Sequence, residues 1–220
     1  MNRRILVGLC CAIFLFTGCA GRLVFSPGGK KKLPVPTILP RTNWAGGMPS
    51  GTYKTQTPAY ITILDTPNGF DPDNPGAYLR QLVEDYVDSK GVGDIPVHYI
   101  IDQKGGILAG RPANTVGQLT YGDQFFRAEV AQNHPMRGKT IDCRGHILVL
   151  LLGDYESKPL PAKQQEAMLD LIQYLVKEHR IAYFDVLGYR TYIQDSMNPG
   201  TALNDQLASL MLKLAKSQVK

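Results

Sequence analysis

The sequence has 220 residues, of which 44% are hydrophobic, with 24 basic and 19 acidic side chains and a formal net charge of +5. This length fits a single globular domain of ordinary composition. The excess of positive charge is small and forms no patch of the density typical of nucleic-acid-binding surfaces. A nucleic-acid partner is therefore not expected.

The N-terminus has the features of a bacterial export signal. A short basic stretch, residues 2–4, precedes the apolar run Ile5–Phe16, which is too short to span a bilayer but has the length of a signal-peptide core. The sequence FTGC that follows from Phe16 resembles the lipobox of bacterial lipoproteins. This resemblance implies that residues 1–18 are removed and that Cys19 becomes the lipidated first residue. An ordinary secretory signal with an incidental cysteine is the alternative.

Lipidation would place the protein in the cell envelope. A diacylglycerol together with an N-acyl chain is sufficient for stable membrane anchoring. Because Ala20 and not aspartate follows Cys19, similarity to enteric sorting signals implies the outer membrane, facing the periplasm. Cys143 is the one cysteine left beyond Cys19, so no internal disulfide is expected. Cys143 and His146 form a Cys-x-x-His pair, which is at most half of a zinc site.

Residues 19–40 are rich in proline, glycine and lysine, which predicts a semi-extended spacer before a domain at 41–220. Strand-like segments then alternate with amphipathic stripes. This pattern predicts an α/β fold with a mixed, largely parallel central sheet and flanking helices. In chain order the predicted elements are strand Tyr60–Thr66, helix 76–89, strand Val97–Asp102, a turn at 104–106, strand Ile107–Gly110, strand His146–Leu152, a helix from Pro161, strand Tyr183–Leu187, and a last helix striped by Leu203, Leu207, Leu210, Met211 and Leu214.

Residues 112–144 show little periodicity and predict a long loop. Loops of this length within a compact domain are often functional. One hypothesis is that Tyr121, Phe125 and Phe126 present an apolar patch from this loop to another envelope protein.

Several short motifs occur in the order found in one protein family. They are RTNW at 41–44, ITILDT at 61–66, IPVHYIID at 95–102, GILAGRP at 106–112, GDYE at 153–156 followed by Pro159 and Gln164 or Gln165, GYR at 188–190, and NPG at 198–200. Each motif alone is weak, but together they cover nearly all of 41–210. The chain resembles the superfamily of type-2 N-acetylmuramoyl-L-alanine amidases and peptidoglycan recognition proteins.

This resemblance implies the mixed sheet with flanking helices and a site on it. Active members hydrolyse the amide bond between N-acetylmuramic acid and L-alanine in peptidoglycan. They hold Zn²⁺ with two histidines and a cysteine or aspartate, and leave one position open for water and substrate. Bound zinc lowers the pKa of that water to about 7 and polarises the scissile carbonyl.

In this sequence the family's zinc-ligand positions carry other residues. The first histidine position is Leu64, which has no donor atom. The second is Tyr189, whose phenol has an unperturbed pKa of about 10 and is a poor ligand at neutral pH. The third is Asn198, whose amide oxygen suits harder ions. The resemblance therefore implies no zinc or other cofactor in this chain.

The positions of the family's helper residues are also substituted. Val97 stands at the catalytic tyrosine position and Ser196 at the lysine or threonine position. Catalysis is therefore not expected. An oxygen-ligand site for Ca²⁺ or Mg²⁺ formed by Asp65, Asp195 and Asn198 is an open alternative.

These observations predict a lipid-anchored, catalytically inactive protein that binds peptidoglycan or muropeptides, with the arginines pairing to stem-peptide carboxylates. The alternatives are an active amidase with displaced ligands and a scaffold for an envelope protein. For two of the cleft candidates, a structural role is the alternative to ligand binding. Tyr189 would plug the metal position, and Arg111 would cap the hairpin. The cleft candidates are Asp65, His98, Tyr99, Arg111, Tyr189, Arg190 and Asn198.

Overall fold

The computed structural model describes residues 35–45, 53–66, 74–89, 93–193 and 195–217. These residues form one sheet in the strand order β1-β4-β3-β5-β2-β6. Of the described strand pairs, β3–β4 is antiparallel and the others are parallel, so the predicted mixed and largely parallel sheet is confirmed. The strands are β1 (Ile38–Leu39), β2 (Tyr60–Asp65), β3 (Tyr99–Ile101), β4 (Ile107–Ala109), β5 (His146–Leu151) and β6 (Val186–Gly188).

The centre of the sheet is the pair β2–β5. Their register runs from Tyr60 opposite His146 to Asp65 opposite Leu151. Every residue of β5 is buried, as its continuous apolar run predicts for a strand covered on both faces. On β2, Ile63 packs into one apolar core and the next residue, Leu64, into the other, because successive side chains point to opposite faces.

Helices cover both faces of the sheet, as predicted. The face that carries Ile63 is covered by α2 (Ala162–His179) and α4 (Thr201–Ser217). The face that carries Leu64 is covered by α1 (Pro75–Glu84) and by the segment 112–144. Burying each large aliphatic side chain in these cores stabilises the fold by roughly 1.5–3 kcal/mol.

The helix boundaries follow local chemistry. The side chain of Asn74 caps α1 by accepting a hydrogen bond from the N–H of Ala77 at 3.2 Å. A π-helical turn, Asp85–Ser89, extends α1, so the predicted helix 76–89 is confirmed to within a residue at its start. Pro161 precedes the first residue of α2 rather than occupying it. The predicted apolar stripe of α4 is buried throughout.

Two predicted elements differ in the structure. The predicted strand Tyr183–Leu187 is a 3₁₀ turn, Tyr183–Asp185, followed by β6. The turn forms because the N–H of Asp185 donates to the carbonyl of Ala182 at 3.0 Å. The predicted spacer also contains a strand, because Ile38 and Leu39 pair with the exposed edge of β4.

Residues 1–34, which include the predicted signal peptide and Cys19, lie outside the described residues. Within the part that is described, we find no helix long and apolar enough to cross a membrane.

The segment 112–144 is a long excursion, as predicted. One isolated bridge joins it to the preceding chain, between Thr115 and Thr55. Two further bridges, Gly117 with Cys143 and Thr120 with Thr140, join the outgoing and returning parts of the segment to each other. The expectation of an exposed apolar patch in this segment is wrong. Tyr121, Phe125 and Phe126 are all buried in the core on the α1 face, because they cover apolar side chains of the sheet.

Candidate binding site and the expected metal position

The sheet brings two of the expected metal-ligand positions together. β2 and β6 are neighbours, and their register pairs Ile63 with Gly188. The next residues along the two strands are Leu64 and Tyr189, which begins the short helix α3 (Tyr189–Tyr192). Both side chains are fully buried in the same apolar cluster. Asn198 is hydrogen-bonded to the end of β2, so all three positions meet at one end of the sheet.

Asn198 uses both polar atoms of its side chain within the protein. Its Oδ1 accepts from the N–H of Asp65 at 3.0 Å, and its Nδ2 donates to the carbonyl of Asp65 at 2.8 Å. The residue is fully buried. Its amide is therefore committed to holding the loop 196–200 against the end of β2.

Tyr189 fills the space beside Leu64. Burial raises the pKa of its phenol far above the usual value, so the ring stays neutral. Its hydroxyl has no hydrogen-bond partner among the described residues. The position of the ring agrees with a plug rather than with a ligand-binding group at a cleft rim.

Phe126 packs against the residues at the expected metal position. Its ring meets Tyr189 edge-on, with centroids 6.3 Å apart. Its carbonyl accepts hydrogen bonds from Ser196 Oγ and from the N–H of Met197, both at 3.1 Å. The long segment 112–144 is thus fastened to the loop that carries Asn198, and the expected metal position is covered by the chain itself.

This donor set does not fit zinc. Zinc is held by imidazole, thiolate or carboxylate groups, whereas Leu64 has no donor, the phenol of Tyr189 is neutral, and the amide of Asn198 is occupied. Val97 lies in the same apolar cluster. In the described part of the chain, no three His, Cys, Asp or Glu side chains are grouped as metal ligands.

Asp65 has a partner that the sequence did not reveal. Its carboxylate is fully buried and accepts two hydrogen bonds from Arg127, from Nη2 at 2.6 Å and from Nε at 3.2 Å. The N–H groups of Tyr155 and Gly200 each donate to it at 3.1 Å. Arg127 also pairs with Asp154 at 2.7 Å. This network fastens the segment 112–144 to the ends of β2 and β5.

The alternative oxygen-ligand metal site is not assembled. Asp65 is paired with Arg127, and Asp195 accepts a hydrogen bond from the hydroxyl of Tyr121. Asn198 has both side-chain polar atoms bound to the main chain of Asp65. The polar atoms of these three side chains are therefore already bound to other groups of the protein.

His98 is a buried structural residue rather than a cleft residue. Its Nδ1 accepts from the N–H of Leu148 at 2.8 Å, so Nε2 carries the proton and donates to the carbonyl of Thr115 at 2.8 Å. Burial lowers the pKa of His98 to about 4. The neutral ring connects β5 to the start of the long segment.

Two further cleft candidates also have structural roles. Tyr99 packs against the core on the α2/α4 face, and burial raises its pKa to about 12. Arg190 donates through its main-chain N–H to the carbonyl of Asn198 and through Nη2 to that of Met197. Arg190 therefore lies beside the expected site, where it holds the loop 196–200 in place. Tyr99 lies on the opposite face of the sheet from Leu64 and Tyr189.

Arg111 is the candidate that reaches an open cavity. Only 2% of the residue is exposed. Its Nε donates to the carbonyl of Ile95 at 3.0 Å, and its Nη1 donates to the carbonyl of Val116. Its Nη2 has no hydrogen-bond partner among the described residues. The guanidinium also lies over the ring of Tyr53, 5.2 Å from its centroid.

The cavity beside Arg111 has a volume of about 420 Å³. It opens where the long segment leaves β4 and returns to β5, at the end of the sheet away from Leu64. Its charged lining is mostly basic, with Lys54, Arg111 and Arg144 against Asp142, and Asp142 is paired with Arg144. A buried cation with a free donor in a basic cavity is suited to an anion. The remaining lining residues are Tyr53, Val116, Gly117, Gln118, Thr140 and Ile141.

The comparisons with known proteins identify the fold. No family model and no curated protein matches the sequence. Solved structures do match. Drosophila peptidoglycan recognition protein SD has a TM-score of 0.61 at 19% identity, with 78% of this chain and 93% of that chain covered. Drosophila PGRP-LB has a TM-score of 0.59 at 22% identity, with 79% and 93% covered.

A third similar structure was solved with a ligand. Peptidoglycan recognition protein LE, in complex with tracheal cytotoxin, a monomeric diaminopimelic acid-type peptidoglycan, has a TM-score of 0.61 at 19% identity. The match covers 78% of this chain and 92% of that chain. The chain has the peptidoglycan recognition protein fold.

Proposed function

We propose that this chain is a non-catalytic protein that binds muropeptides, and that the cavity beside Arg111 holds a carboxylate of the stem peptide. The observation that carries the proposal is the buried guanidinium of Arg111, which has one free nitrogen and lines a basic cavity. The fold gives further support, because a protein of the same fold was solved with a monomeric peptidoglycan.

A carboxylate satisfies this environment in two ways. A guanidinium and a carboxylate form short, charge-assisted hydrogen bonds. A buried donor without a partner costs about 1–3 kcal/mol, and a bound anion removes that cost. Lys54 at the cavity adds a longer-range attraction for acidic peptides.

Under this proposal, the expected metal position does not catalyse amide hydrolysis. Leu64, Tyr189 and Asn198 offer no set of zinc donors there, and the ring of Phe126 packs edge-on against Tyr189. Release of peptides with a free N-terminal L-alanine from sacculi, abolished by a chelator, would instead establish the alternative of an active amidase.

Binding can be measured by calorimetry of the full chain with a soluble muropeptide and by co-sedimentation with purified sacculi. Arg111→Gln is expected to weaken muropeptide binding about tenfold or more, since tenfold corresponds to 1.4 kcal/mol. Lys54→Gln should weaken it less, because this side chain is exposed. Arg80→Gln, an exposed change on α1, is the matched control and should have no effect. Wild-type protein that binds neither sacculi nor muropeptide would reject the proposal.

We further propose that Cys19 is lipidated and anchors the protein in the outer membrane, facing the periplasm. The support is the basic, apolar and FTGC pattern of the first 19 residues. Metabolic labelling with a fatty-acid analogue should mark the wild-type protein and not Cys19→Ala. Equal labelling of both, or recovery of the wild-type protein in the soluble periplasmic fraction, would reject the anchor.

A further inference from the structure

An apolar groove lies at the edge of the sheet farthest from β1. β6 is the edge strand, with β2 on its inner side, and α4 runs beside it. The groove between them has a volume of about 730 Å³ and a mainly apolar lining. Its lining includes Tyr183, Phe184, Leu207, Met211 and Leu212.

Two large apolar side chains of this groove face solvent. Phe184 is 81% exposed and Leu212 is 56% exposed. Phe184 is the most exposed large hydrophobic side chain of the described residues. Apolar side chains scattered singly over a surface need no explanation, but two beside an apolar groove form a patch of the kind that marks an interaction site. We use the name α4 patch for this groove together with two further parts. These are the side chains of Phe184 and Leu212 and the exposed stripe of α4 formed by Asp205, Ser209, Leu212 and Lys216.

The exposed side of α4 carries an ordered charge pattern. Asp205, Ser209, Leu212 and Lys216 are all exposed, and their spacing places them in one stripe along the helix. The acidic residue lies in the first half of α4 and the basic residue in its last turn. At a rise of 1.5 Å per residue, the two charges are about 16 Å apart with Leu212 between them.

This pattern is complementary to itself in one orientation. If two copies of α4 lie antiparallel, Asp205 of each copy comes opposite Lys216 of the other, and Ser209 comes opposite Leu212. In a parallel arrangement the like charges would face each other. A two-fold contact uses the same patch on both partners and needs this kind of self-complementarity.

We propose that the α4 patch is a homodimer interface, in which two copies pair about a two-fold axis with antiparallel α4 helices. Burial of Phe184 and Leu212 against the groove of the opposite copy supplies most of the affinity. Exposed ion pairs contribute little energy, so Asp205 and Lys216 mainly select the antiparallel orientation. The inference is independent of the muropeptide proposal, because the cavity beside Arg111 lies elsewhere on the chain.

The test is sedimentation equilibrium of the full chain in a non-ionic detergent over a range of concentrations. Wild-type protein is expected to dimerise reversibly. Phe184→Asp should leave a monomer, because it removes the main apolar contact. Asp205→Lys and Lys216→Asp should each weaken dimerisation about tenfold, because each places like charges opposite one another. The double swap, Asp205→Lys with Lys216→Asp, should restore dimerisation to near the wild-type level.

Asp170→Lys is the matched control, since it makes the same charge change at an exposed position of α2. It should dimerise like the wild type. These variants are at exposed positions, and circular dichroism should show unchanged folds. A wild-type chain that stays monomeric overturns the proposal, as does a dimer that survives Phe184→Asp or single swaps that the double swap does not rescue.

Discussion

The side chain of Asn198 pairs with the main chain of Asp65 in the manner of an adjacent strand. One amide atom accepts from the N–H of Asp65 at 3.0 Å and the other donates to its carbonyl at 2.8 Å. The pairing requires a side chain that both donates and accepts. An asparagine satisfies this requirement, whereas the cysteine or aspartate of a zinc site would not.

Asn198→Asp should lower the free energy of unfolding by about 2 kcal/mol, because the carboxylate loses the donor and is buried against the carbonyl oxygen of Asp65. Urea denaturation measures this change. Asn133→Asp, at an exposed position, is the control and should change stability little. Equal unfolding midpoints for the two variants would contradict the structural role of Asn198.

Arg127→Gln should destabilise the protein by about 3–5 kcal/mol, because it leaves the buried carboxylate of Asp65 without its cation. Thermal or urea unfolding measures the loss. Arg144→Gln breaks an ion pair in which both side chains are largely exposed, and it should leave stability nearly unchanged. In a double-mutant cycle, Asp65→Asn should recover part of the loss caused by Arg127→Gln. Additive losses would show that the two side chains are not coupled.

Stability should depend on pH through His98. The folded-state pKa of His98 is lowered to about 4 by burial, so below pH 6.5 the unfolded chain binds a proton that the folded chain does not. The free energy of unfolding should therefore fall as pH drops from about 6.5 towards 4, by up to about 3 kcal/mol. Above about pH 6.5, the full contribution of neutral His98 to the free energy of unfolding is present.

The comparison for this effect is His98→Gln, which keeps a donor and an acceptor but cannot take up a proton. Urea unfolding of both proteins between pH 4 and 7.5 isolates the contribution of His98, because other groups titrate equally in the two. The variant should lose the steepest part of the pH dependence. Parallel curves would mean that His98 does not titrate between the folded and unfolded states.

Leu64→His should not create a zinc site. One imidazole is a single ligand, and the neighbouring phenol of Tyr189 and amide of Asn198 add no suitable donor. The variant should also be less stable, because a polar ring replaces an aliphatic side chain in an apolar cluster. Metal content after incubation with excess zinc gives the answer. One zinc per chain would mean that the expected ligand positions are wrongly assigned.

The sequence predicted those parts of the fold that depend on local pattern. The run from His146 to Leu152 predicted a central strand because it is too short to span a membrane and its continuous apolar character suits a strand buried on both faces. The motif order located Leu64, Tyr189 and Asn198, which do meet at one end of the sheet. β1 was not predicted because the two residues Ile38 and Leu39 have no strand pattern of their own. They form a strand only because they pair with β4.

The contacts that close the site were not predictable in the same way. Arg127 lies in a segment without periodicity. Its backbone is in the left-handed region at φ 62°, a conformation that an arginine does not predict. Its partner Asp65 is 62 residues away in sequence. The cavity beside Arg111 is likewise assembled from three separated stretches of the chain.

β1 is also the point where mechanical tension would enter the domain. Under the proposed anchoring at Cys19, a protein held between a membrane and the cell wall is pulled through its spacer. The first contacts to bear that load are the two residue pairs between β1 and β4, and the next is the buried ion pair of Arg41 with Asp94. Detachment of β1 would lengthen the spacer by about 3.3 Å per residue. The paired strands β2 and β5 would stay unloaded until the Arg41–Asp94 pair, the hydrogen bond of Trp44 to Ala109 and the main-chain bonds of residues 54–56 to residues 114–116 separate.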